Sequence, residues 1–404
     1  MKHYFISRNL LLFIMSQITS MLGNQVIRFV LSMYILDSTG SAKIFANVMA
    51  ISMIPTIICS PVGGIICDKY NRIKVMILLD LLSGISVFLF ILLFSLNRNL
   101  NYITIILIIL SIFGSILTPA IQSTVPLITD DIKRTNILVS QITSIIAMIS
   151  PAFAGVLYSV FELKTIILYV CAGFLLTSFL ESFIKVRYEK NPVNLNEPVP
   201  GFKEVIKFIY FDGKEILYLI LFAGLISFSI TGLINVGIPY FIKSTLKMST
   251  KAFGLCESLS GIAAIIGSTC SVLIVSKLKF KNLYLLIFGV GICIGGIGWS
   301  LINTSAGFIS YLEIVLLVCV IHFLISIFSV TSLSLIMERT PNCFLGRILS
   351  LVATLTMCLQ PIGQVVYGNG LSYSSMRNFV FLIAISSLTI IVSISSRRMF
   401  QKYF

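Results

Sequence analysis

Few residues of this 404-residue chain could do chemistry, and most of them sit inside long apolar runs. Arg28 lies deep in the first run, just after Asn24 and Gln25. Asp80 is about five residues into the third, Glu257 and Glu313 lie near the ends of the eighth and tenth, and His322 is in the middle of the tenth. Gln122, Gln141, Asn235, Gln360 and Gln364 are amides embedded in the fourth, fifth, seventh and eleventh. An ionised side chain at the centre of a bilayer costs roughly 2.5–3.5 kcal/mol on insertion scales. Such residues therefore mark places where a substrate is held, an ion is carried or helices are bridged. Arg28 reads as a substrate contact, as the partner of a buried acid, or as a side chain snorkelling to the surface. Glu257 and Glu313 read as proton carriers if buried, or as solvated structural groups near the surface. His322 reads as a proton relay or as a polar residue bonded to its own helix, and the amides as substrate contacts or helix bridges.

Other chemistries lack their residues. No G-x-x-x-x-G-K-[ST] phosphate loop occurs, so ATP hydrolysis by this chain is not expected. His3 and His322 are the only histidines, and the nine cysteines show no C-x-x-C or Cys/His metal spacing. Neither a catalytic triad, a metal site nor a cofactor is expected, and the chain does not read as an enzyme.

The elements that must position these residues follow from composition. The chain is 57% apolar and 11% charged, where a soluble domain carries roughly 25% charged residues. Its surface must face lipid, which excludes a secreted enzyme, a DNA-binding protein and a disordered chain. Crossing ~30 Å of hydrocarbon takes ~20 apolar residues per helix. Twelve such stretches occur, at about 10–36, 44–67, 75–96, 101–127, 137–160, 164–185, 216–242, 252–276, 282–302, 308–336, 347–369 and 376–396. Runs such as Ile103–Ile112 are apolar on every face, unlike the alternating strands of a barrel. The first stretch is too long for a signal-peptide core and reads as a permanent helix. With the N-terminus inside, 21 basic residues fall in cytoplasmic segments and 7 in outer ones. The positive-inside rule thus predicts both termini in the cytoplasm. The net charge of +14 becomes a topology signal that needs no nucleic-acid partner. Lys243, Lys247 and Lys251 form the one cluster that runs against the rule.

Two halves are expected: 1–185 and 216–404, joined by a cytoplasmic linker at 186–215. The linker holds ten charged residues, and Phe202–Phe211 has the spacing of an amphipathic surface helix or of a plain connection. Span five carries Pro151 and Gly155, span eleven Pro361 and Gly363, and the two prolines are 210 residues apart. Ser41 and Thr250 stand where each would cap an emerging helix. These echoes suggest parallel six-helix repeats.

After span two the chain reads Gly63-Gly64-Ile65-Ile66-Cys67-Asp68-Lys69-Tyr70-Asn71-Arg72-Ile73-Lys74. This resembles the loop signature of the major facilitator superfamily, keeping Gly64, Asp68, Arg72 and Lys74 and departing at Lys69, where the family usually has Arg. Thr39-Gly40-Ser41-Ala42, Asp80-Leu81, Thr118-Pro119, Val125-Pro126 and Gly346-Arg347 are similar to the macrolide-efflux and enterobactin-exporter branch. Exporters tend to carry G-P-x-x-G-G in span five, and here Ser150 and Ala154 replace two of those glycines. The second copy of the loop signature, around Ser276–Lys281, has lost its acid.

The resemblance implies an all-α membrane protein with twelve transmembrane helices in two pseudo-symmetric six-helix bundles. It places Gly64, Asp68, Arg72, Lys74, Asp80 and Arg347 in an inner latch. It points to Arg28, Asn24, Gln25, Gln122, Gln141, Asn235, Glu257, His322 and Gln360 as cavity candidates. Its implied function is secondary transport in the cell membrane: proton-coupled efflux of an amphipathic drug-, macrolide- or siderophore-like molecule by a monomer. Metabolite uptake on the same fold and a membrane sensor that does not transport are the alternatives.

Overall fold

A hydrocarbon interior offers no water to a peptide N–H or C=O, so a spanning chain must satisfy its backbone internally. The computed structural model does so with helices. It describes residues 8–96, 99–129, 131–184, 207, 208, 210, 214–274, 282–302, 307–371 and 374–403. In chain order these form α1 Arg8–Thr39, α2 Ala42–Lys69, α3 Arg72–Leu96, α4 Leu100–Ile128, α5 Ile132–Val160 and α6 Leu163–Ser182. Then comes α7, which begins as Lys214–Gly232 and continues through Leu233–Gly237, Ile238–Tyr240 and Phe241–Thr245. The rest are α8 Thr250–Ile274, α9 Tyr284–Ser300, α10 Gly307–Arg339, α11 Asn342–Gly370 and α12 Ser375–Tyr403. No strand occurs among the described residues. Eleven of these helices are long and apolar enough to cross a membrane, and α9 is a shorter apolar helix of 17 residues. Most of the expected linker helix and the Ser276–Lys281 segment lie outside the described residues.

Short polar signals set the breaks. Gly40 adopts φ 60, the left-handed conformation that ends a helix without a Cβ clash, and Ser41 Oγ then accepts from Ile44 N at 3.4 Å. Asn71 Oδ1 accepts from Ile73 N, and Asn99 and Asp131 cap α4 and α5 in the same way. In α7, Pro239 has no N–H to donate. On either side of it the backbone shifts to the wider π pattern, in which Leu246 N bonds to Phe241 O at 2.8 Å.

By contact the chain forms two compact units. One is Met1–Ser38, Ile51–Pro192 and Thr250–Ser258; the other is Thr39–Ala50, Val193–Ser249 and Leu259–Phe404. In the first, α3 pairs extensively with α6, and Cys171 Sγ and Ser178 Oγ donate to the Gly84 and Ile77 carbonyls. The start of α8 packs on α5 there. Gly155 faces the Thr250 carbonyl and Gly254 the Pro151 carbonyl, while Ala152 N–H donates to Ser258 Oγ at 3.1 Å. Small residues allow this approach of backbone to backbone.

In the second unit, α9 pairs with α12 by the same device, with Ser386 Oγ donating to Gly291 O at 2.7 Å and Ser393 Oγ to Tyr284 O at 2.6 Å. The close pair α7–α11 crosses where Gly232 meets Gly363, and Gly363 lies directly on the Phe228 backbone. Gly368 rests against Ala42 and Ala46 at the start of α2. Phe208, one of the linker residues described, stacks on Phe344 at 4.9 Å. Large side chains such as Ile58, Leu89, Tyr169, Leu316 and Ile391 remain exposed, as a lipid-facing surface requires.

Candidate functional site

Between α1, α4 and α5 lies a groove of about 670 Å³ lined by Gln17, Thr118, Gln122, Asn136, Ser140, Thr143 and Ser144, with Met21, Ile121, Val125 and Val139 between them. Its size suits a small organic molecule. Of the sequence candidates it gathers Gln122. Gln141 is exposed one position from Ser140 but does not line the groove. Gln17 was not singled out from sequence. It is 3% exposed, and neither end of its amide has a hydrogen-bond partner among the described residues.

Arg28 lies about two helical turns further along α1 than Met21. Its Nε donates to Asn24 Oδ1 at 2.7 Å and its Nη2 to Ser111 Oγ of α4 at 3.0 Å. Gly114, one turn along α4, leaves the space beside the Asn24 amide open. The acid considered as its partner is absent among the described residues: both acceptors are neutral. The guanidinium is thus held in place with its charge uncompensated, and its remaining N–H groups can meet an anionic group. Gln25 is exposed on the neighbouring face.

Arg72 Nη1 donates to Ser123 O of α4 at 2.7 Å and its Nε reaches Cys67 O at 3.5 Å, so it ties α2, α3 and α4 through carbonyls. Asp68 and Lys74 are exposed. Asp80 is eight residues, about 12 Å, further along α3, where Ser20 Oγ donates to it at 2.8 Å. Glu181 of α6, missed in the sequence, is within electrostatic reach of Asp80. Its signal was an acid in the last turn of an apolar run.

The glycine of close approach is also displaced by one residue from the motif. Gly63 faces Ile116 Cα and Ser115 O of α4 at 2.9 and 3.0 Å from where a Cβ would stand, whereas Gly64 meets nothing within 4 Å among the described residues. Gly63→Ala is therefore expected to lower stability by about 1–3 kcal/mol. Gly64→Ala should leave it unchanged or raise it slightly, because alanine suits a helix better. Thermal unfolding of the two variants in detergent measures the difference.

In the second unit, Asn235 is exposed within the first π segment of α7, a backbone irregularity frequent at functional sites. His322 Nδ1 faces Val318 O at 3.0 Å, the bond of a histidine satisfied by its own helix. Gln360 is half-buried, and Pro361 and Gly363 are buried at the α7 crossing. Arg347 borders a cleft of about 560 Å³ along α11 with Ser350, Thr354 and Cys358. Glu257 is half-buried in α8, within the first unit.

The chain is thus a multi-pass helical membrane protein with a polar groove between α1, α4 and α5. The sequence pattern of the Major Facilitator Superfamily matches residues 13–364, and the chain belongs to that family. It is 27% identical over 173 residues to macrolide efflux protein A of Streptococcus pyogenes, covering 42% of this chain and 43% of that protein. It therefore spans less than half the length of that relative. It is 24% identical over 304 residues to the staphyloferrin A transporter of Staphylococcus aureus, covering 72% of each. Among solved structures, a bacterial homologue of the iron transporter ferroportin in an inward-facing state aligns with TM-score 0.75 and 16% identity, over 98% of this chain and 100% of that one. A nucleoside transporter aligns with TM-score 0.73 and 14% identity, again over 98% and 100%. These two likenesses establish the fold alone.

Proposed function

We propose that the chain is a secondary active exporter. It carries a small amphipathic molecule, drug-, macrolide- or siderophore-like, out of the cell in exchange for protons. Twelve helices in two six-helix bundles, 1–185 and 216–404, rock about the substrate, and both termini lie in the cytoplasm. The observation that carries this reading is the groove lined by Gln17, Gln122, Asn136, Ser140 and Thr143 in an otherwise apolar set of helices. Arg28 and Asn24 hold an anionic or strongly polar group of the same molecule. Similarity to a macrolide efflux protein and a siderophore transporter supports a substrate of this size. The Lys and Arg bias of the loops supports the orientation.

Cells producing the chain should survive higher doses of at least one compound in a panel of macrolides and siderophores, and should accumulate less of it. A protonophore should abolish the difference. Greater accumulation in producing cells would instead mark an uptake carrier. Asp68→Asn is expected to slow turnover while substrate affinity stays within about threefold, because an exposed loop acid acts on the rocking step and not on the groove. Separate measurement of KM and kcat checks this, and lost affinity with normal turnover would contradict it.

A further inference from the structure

Asp80 and Glu181 belong neither to the groove nor to the Arg28 contact. Asp80 is 1% exposed and Glu181 0%. They come from the closely paired α3 and α6, and each carboxylate lies within reach of the other's charge. Ser20 satisfies one Asp80 oxygen at 2.8 Å. The second Asp80 oxygen and both Glu181 oxygens have no hydrogen-bond partner among the described residues. Ser16 lies beside Glu181, but its hydroxyl donates to Phe13 O at 2.9 Å.

The helices around the pair supply no counter-charge among the described residues. α4 carries no charged residue along its length. In α1 the charges are Arg8 and Asp37 at its ends and Arg28, which is engaged with Asn24 and Ser111. In α3, Arg72 is bound to carbonyls and Lys74 is exposed. Lys164 stands at the opposite end of α6, and α5 carries its charges, Lys133 and Arg134, in its first turn. Two ionised carboxylates within reach of each other's charge, with only the Ser20 hydroxyl donated to the pair among the described residues, would be strongly destabilising in apolar surroundings. No group of three metal-ligating side chains occurs among the described residues.

We propose that Asp80 and Glu181 hold a proton between them, making a proton-binding site in the first unit separate from the substrate groove. Binding converts one carboxylate to a neutral acid, and release returns the proton to water; no other bond changes. Because Asp80 is tied to α1 through Ser20, releasing the proton takes the pair from one negative charge to two among α1, α3 and α6 and loosens their packing. That links proton release to helix movement. The further identification of this site as the seat of the coupling proton rests on the exporter reading above; the proton-binding site itself does not.

Infrared spectroscopy of the reconstituted full chain, without substrate, reads the site directly. At neutral pH the wild type should show the carbonyl stretch of an undissociated carboxylic acid. Asp80→Asn and Glu181→Gln should each shift this band, and the double variant should remove it. An absent band in the wild type, a band unchanged in the double variant, or a band abolished by adding sodium or potassium would overturn the proposal. If the double variant does not reconstitute, Glu181→Gln alone decides, since an unmoved band counts against the pair. For the coupling role, Glu181→Gln should flatten the pH dependence of transport. An intact band with an unaltered transport profile would reject that role while leaving the exporter reading standing.

Discussion

Gly363→Val is expected to cost more stability than any other single change proposed for this chain. A Cβ at Gly363 would stand on the carbonyl oxygen and carbon of Phe228, and one at Gly232 would meet the Gly363 backbone and the Tyr367 ring. Side chains can rotate away from an added methyl group, but two backbones in contact cannot. The α7–α11 crossing must open along its length, and the packing of Ile216, Leu219, Ile220 and Ile348 opens with it. Overpacking of this kind costs about 3 kcal/mol or more, roughly a hundredfold in the folding equilibrium. Thermal unfolding in detergent should show a large drop or no monodisperse protein. Gly346→Ala, where nothing among the described residues lies within 4 Å, should behave as wild type in the same assay. Equal stability of the two variants would mean that the crossing does not depend on glycine.

Arg28→Gln should leave the fold intact and lower transport by about tenfold to a hundredfold, the range expected for one charge-assisted contact to substrate. The guanidinium is fixed by Asn24 on its own helix and Ser111 on α4, so its free N–H groups point in a set direction. Arg28→Lys should not restore activity. An ammonium carries charge but has no planar fork to hold both neighbours. Asn24→Ala should give an intermediate loss, since it releases one of the two restraints. Flux of an identified substrate into liposomes reads all three, with unfolding temperature as the control for folding. Full activity of Arg28→Lys would show that charge alone matters there.

The helices were legible because lipid imposes a simple demand: ~20 apolar residues in a row, broken by Gly40, Asn71, Asn99 and Asp131. What lay between them was less so. Asp80 stood out as an acid in an apolar run, but its partners, Ser20 and Glu181, are far away in sequence. A serine among leucines carries no signal of which neighbouring helix it faces. Gly63 and Gly64 differ by one position, which on a helix is about 100°, and only packing decides which of them meets α4. Family resemblance gave the register of the loop but not this rotation. The Arg28 site was half legible, with Asn24 four residues away on the same face and Ser111 hidden in the apolar run of α4. The π segments of α7 follow from Pro239 only once the surrounding helix is known to continue.

The most direct test of the transport account is substrate flux by the purified chain in sealed liposomes under an imposed pH gradient. A compound selected by the resistance panel should move against its own gradient when protons move the opposite way, and the movement should collapse with the pH difference. Arg28→Gln should reduce it. Compound movement indifferent to the pH gradient, or no movement of any compound by folded protein, would contradict the account.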